Sequence, residues 1–107
     1  PHGQANALAL PHVLKACLAE AETALAELAV VTNVSDAASP AARAQAFVEA
    51  VQDLIAKVGI DETDPRIQPA DWTVLAHAAM DESDGYVSPR LLTKAEIMDM
   101  LERITAR

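Results

Sequence analysis

Three histidines, His2, His12 and His77, and one cysteine, Cys17, are the side chains best suited to metal binding or nucleophilic chemistry. Neutral imidazole is a ready ligand for first-row divalent ions. A usable site needs about three or four protein ligands. No His-x-x-x-His or Cys-x-x-Cys pair is present, so His2, the candidate ligand, must share an ion with groups elsewhere. His12 follows ten residues later, about 15 Å along an uninterrupted helix. That is too far to share an ion with His2 unless the backbone folds back, so His12 fits a structural or pocket-lining role better than that of a second ligand. Asn6 suits a group that supports a ligand from behind and an ordinary polar helix residue equally well. His77 falls off the apolar stripe of its segment, where Asp81, four residues on, can pair with it at the surface. Cys17 reads as a small buried apolar residue.

Two further patterns fail on inspection. The acidic run Asp81-Glu82-Ser83-Asp84-Gly85 suggests a calcium loop. Placing Gly85 at the sixth position would start that loop at Met80 and end it at Leu91, and neither supplies a carboxylate. Ser83 lacks the preceding aspartate and following apolar helix expected of a carrier-protein serine. Gly3, Gly59 and Gly85 are isolated, so no phosphate-cradling loop exists.

The elements that must position these residues read as helices, with no strand. The first spans about Gly3 to Glu20 and is apolar around most of its circumference, which predicts deep burial. Pro11 should kink it near Ala7 to Leu10. The second covers Glu22 to Val30, with Leu25, Leu28 and Ala29 inward, and Thr32 to Ser39 is a loop. Ser39 caps the third helix and Pro40 opens it. Ala44, Phe47, Val48, Val51, Leu54, Ile55 and Val58 form its stripe, and Gly59 suits a left-handed stop. The fourth runs from about Ala70 to Met80, with Trp72, Leu75, Ala76, Ala79 and Met80 inward. The fifth begins with a capping box, Thr93 to Glu96, and buries Ile97, Met100, Leu101 and Ile104. Arg103 and Arg107 suit its C-terminal dipole.

Composition agrees. Of 107 residues, 51% are apolar, but 23 are alanine, so the core is thin in bulk. The formal charge of −8, with no basic stripe, argues against nucleic-acid binding. A single cysteine excludes an intrachain disulfide. No stretch approaches membrane-span length and no signal peptide opens the chain, so a cytoplasmic protein is expected.

Taken in order, His2-Gly3, Asn6-Ala7, Leu10-Pro11-His12, Val58-Gly59-Ile60, Ser88-Pro89-Arg90 and Thr93-Lys94-Ala95-Glu96-Ile97 resemble the C-terminal helical domain of the iron-dependent (group III) alcohol dehydrogenases. Ser88 stands where that family usually has asparagine. The first element is fairly specific; the later ones gain weight from their order and spacing. The resemblance implies an all-α chain of about five helices, residues 1–107, forming a single helical domain or fragment of a two-domain enzyme. It implies Fe²⁺, or Zn²⁺, held by an aspartate and three histidines, the last matching His2. Asn6 and His12 would then border the pocket or support the ligands. NAD(P) would bind an N-terminal domain absent from this chain. Such a metal acts as a Lewis acid on the alcohol oxygen while hydride moves to or from the nicotinamide.

Because the chain opens at Pro1 inside this pattern, we expect a piece of a larger polypeptide, inactive alone. Its partners would be the missing N-terminal domain and, through exposed apolar helix faces, other copies of itself. Neither nucleic acid nor membrane is expected as a partner. The competing reading is a free-standing acidic helical interaction module without enzymatic activity.

Overall fold

The computed structural model describes residues 2–83 and 90–105, the side chains of His2 and Ser83 excepted. Among the described residues the chain is all-α: α1 (His2–Ala16), α2 (Glu22–Val31), α3 (Pro40–Lys57), α4 (Trp72–Ser83) and α5 (Lys94–Ile104). A 3-10 turn, Pro69–Asp71, leads into α4. Among the described residues no strand forms; one isolated parallel bridge joins Asp64 and Thr105. The chain divides into two compact units, Pro1–Ile60 and Asp61–Arg107. None of the described helices is long and apolar enough to cross a membrane.

In the first unit α2 and α3 form a helical hairpin. Ala29 and Ala44 are fully buried, and their small side chains let the two helices approach closely. Leu25, Ala44 and Val48 make the core, with Leu14, Leu18, Ala21 and Phe47 packed around it. Both helices of the hairpin stop in the same way. At the end of α2, Asn33 adopts φ 59°; its N–H donates to Val30 O and that of Val34 to Ala29 O. At the end of α3, Gly59 adopts φ 83°; its N–H donates to Ala56 O and that of Ile60 to Ile55 O. These paired bonds satisfy carbonyls that a helix end would otherwise leave open. Ser39 caps α3 as expected, its hydroxyl accepting from the Ala42 N–H at 3.3 Å. The Arg43 guanidinium donates back to the carbonyls of Ala37 and Ala38 and holds the loop before the helix.

Several expectations shift, among them the inward positions of Leu28, Leu75 and Met80, which are 44%, 41% and 37% exposed. α1 ends at Ala16 rather than near Glu20, and residues 17–21 form turns. No glycine, proline or cap stops the helix there; packing does, because the turns set Leu18 and Ala21 against the α2–α3 core beside Leu14. α1 is also less buried than its composition suggests: Leu8 and Pro11 are buried, but Ala5, Asn6 and Leu10 are exposed. Finally, the α3 stripe is covered only at its first half. Leu54 and Val58 are 60% and 63% exposed, since α2 has ten residues against eighteen in α3.

The second unit packs α4 against α5. Ala76, Ile97, Leu101 and Ile104 are buried, and the capping box is complete: Glu96 N–H donates to Thr93 Oγ1 and Thr93 N–H to Glu96 Oε1. The Arg90 guanidinium grips the same Glu96 carboxylate and, with the Thr93 N–H behind it, holds that carboxyl below its usual range. Arg103 pairs with Asp99 at 2.8 Å on the exposed side of α5; Arg107 lies outside the described residues.

Candidate functional site

α1 carries all three candidate residues on one continuous helix. Four residues along a helix return to within about 40° of the same direction, so positions 2, 6 and 10 form one row. Asn6 and Leu10 in that row are exposed. His12 lies about 15 Å further along the axis than position 2 and about 80° around it. The helix runs unbroken through Pro11, so no backbone reversal brings positions 2 and 12 together. His12 is half-buried, beside the buried Pro11. Among the described residues no three histidine, cysteine, aspartate or glutamate side chains are grouped to hold a metal ion.

The other chemistry-bearing residues separate. Cys17 is buried. His77 is exposed, and its Nε2 lies 3.4 Å from Lys94 Nζ rather than pairing with Asp81 as its spacing suggested. The α5 N-terminus brings Lys94 to that ring, a contact between segments that i,i+4 spacing does not reveal. The side chain of Ser83, and Gly85, Ser88 and Pro89, lie outside the described residues.

The densest polar group belongs to the second unit, and sequence reasoning passed over it. Asp64 is only 5% exposed. Its carboxylate accepts from the Arg66 backbone N–H at 2.8 Å, Nε at 3.0 Å and Nη2 at 2.6 Å. The Asp64 N–H donates to Ile104 O at 2.8 Å, which fixes the end of α5. Beside it, Trp72 Nε1 donates to Thr105 Oγ1 at 2.9 Å, and that hydroxyl donates to Leu101 O at 2.6 Å. One hydroxyl thus joins the start of α4 to the end of α5. The local half was readable, since an aspartate bonding the backbone two residues on is a familiar turn device. The Trp72–Thr105 bond spans thirty-three positions and leaves no local trace.

Two expected results follow from this group. Thr105→Val keeps the shape but removes the acceptor from the Trp72 indole and the donor to Leu101; we expect a loss of about 1–3 kcal/mol. Urea unfolding followed by the fluorescence of Trp72, the sole tryptophan, measures it. Thr105→Ser should recover most of the loss, and an unchanged midpoint for the valine variant would remove the hydroxyl from the account. The second concerns acid. The Arg66 side chain, with the Arg66 N–H, holds the Asp64 carboxyl down to about 2, from 3.8. A carboxyl depressed on folding stabilises fully above its unfolded pKa and loses that contribution as pH falls through the folded one. The unfolding midpoint should therefore drop between about pH 4 and pH 2. In Asp64→Asn this drop should flatten, with lower stability at neutral pH; an acid leg as steep as wild type would contradict the assignment.

Comparison with known proteins decides what α1 belongs to. Residues 1–105 match the model of the Fe-containing alcohol dehydrogenase family, C-terminal. The chain belongs to that family. It is also 28% identical over 106 aligned residues to a 1,3-propanediol dehydrogenase of Citrobacter freundii, covering 96% of this chain and 27% of that protein. The chain therefore spans about a quarter of the length of that curated relative. No solved structure matches it.

The elements that resemble the family fall at structurally decisive places. His2-Gly3, Asn6-Ala7 and Leu10-Pro11-His12 all lie on α1. Val58-Gly59-Ile60 is the stop of α3, where φ 83° at Gly59 is strained for any residue with a Cβ. Thr93 to Ile97 is the capped start of α5. Arg90, the described residue of the Ser88-Pro89-Arg90 element, is the partner of Glu96 in that cap.

Proposed function

We propose that this chain is the metal-site portion of an NAD(P)-linked, iron-dependent alcohol dehydrogenase, in which His2 ligates the metal and Asn6 and His12 border the same pocket. The observation that carries this reading is the family match across residues 1–105. The 27% coverage of a full dehydrogenase supports its being a portion. In this reading His2 acts with an aspartate and histidines contributed by polypeptide outside this chain, as the family resemblance implies. Nucleotide binding belongs to an N-terminal domain, the principal partner in this reading, and the enzyme is cytoplasmic.

In this reading Fe²⁺, or Zn²⁺, supplies Lewis-acid polarisation of an alcohol oxygen, and NAD(P) supplies the hydride chemistry. His2 contributes a neutral imidazole at the start of a helix, and Asn6, one turn on, is exposed and free to face a ligand or the upstream domain. His12 is too far along α1 for the same ion and is left to line or brace the pocket.

The isolated 107-residue chain tests this. It should show no alcohol oxidation with NAD⁺ or NADP⁺ and should hold Fe²⁺ or Zn²⁺ no more tightly than a lone surface imidazole. Exposed Val31, Leu54, Val58 and Val74 should drive it to self-associate in sedimentation. Turnover comparable with that of an ordinary dehydrogenase would overturn the proposal, and a monodisperse monomer would overturn the association.

A further inference from the structure

We draw no further inference here: the strongest candidate, the open groove of the first unit between α2 and the start of α3, lined by Ala26, Val30, Val31, Pro40 and Arg43, is an unpartnered apolar face and nothing in the structure shows what covers it.

Discussion

On the proposed function, His2→Ala, in a polypeptide that joins this chain to the nucleotide-binding domain which that reading requires, is expected to empty the proposed metal site and abolish alcohol oxidation. The reason is coordination number. Fe²⁺ or Zn²⁺ in a catalytic site is held by three or four protein groups with one position left open. Removing one imidazole leaves too few donors to compete with water and weakens metal binding well beyond what loss of a supporting residue can cause. Loss of a group that merely braces a ligand lowers affinity or activity about 10–100-fold. His12→Gln and Asn6→Ala should fall within that range, or below it if Asn6 is only a polar residue of an exposed helix row. His2→Ala should exceed it, beyond about 100-fold, equivalent to more than about 2.7 kcal/mol of transition-state stabilisation. Metal content of the purified variants, read beside kcat/KM, separates the cases. A His2→Ala enzyme that retains a full complement of metal would remove His2 from the ligand set. A His12→Gln enzyme that loses it completely would exchange their roles.

What the sequence made legible is short-range. Ser39-Pro40, Gly59 and the Thr93–Glu96 box are each complete within four or five residues, and each appears in the structure in its expected role. Such signals work because the bonds they form close within one helical turn. Asn33 shows the limit: the loop after α2 was plain from its composition, but not that Asn33 would take the left-handed conformation that glycine takes at the end of α3. The end of α1 was less legible still. Nothing between Ala16 and Glu22 breaks a helix by type, and the chain turns because Leu18 and Ala21 gain more by packing on Leu25 and Val48 than by continuing the helical row. Tertiary contacts override propensity where no local residue enforces it.

The candidate site was legible in a different sense. Composition and spacing alone left His2 a lone imidazole, and among the described residues no three histidine, cysteine, aspartate or glutamate side chains group to hold a metal. The weight came from the order of His2-Gly3, Asn6-Ala7 and Leu10-Pro11-His12, which the family match extends to residue 105. On the proposed function the site is assembled from distant parts of a polypeptide, and such a site cannot be read from the part that holds one ligand. The Asp64, Arg66, Trp72 and Thr105 group shows the converse. It is wholly within the second unit, yet half of it was hidden because Trp72 and Thr105 meet only when α4 and α5 pack.

Leu25→Ala is the substitution expected to damage the fold most. Leu25 is 4% exposed and is the largest of the three buried residues of its core cluster, beside Ala44 and Val48. Truncating a buried leucine costs about 2–5 kcal/mol, rising with the cavity left behind. Whole domains hold only about 5–15 kcal/mol. For a unit of this size the loss corresponds to a fall in Tm of more than about 10 °C, read by far-UV circular dichroism. Leu54→Ala supplies the contrast. Periodicity gives Leu54 an inward position on α3, but the side chain is 60% exposed. Alanine is also the better helix former, so at a protein concentration low enough to keep the chain monomeric the change should stay within about 0.5 kcal/mol. Equal losses from the two substitutions would mean that Leu54 is covered in solution. If the cover is a second copy of the chain, the loss at Leu54 must also grow with protein concentration, because burial between copies follows mass action. Burial within the chain does not.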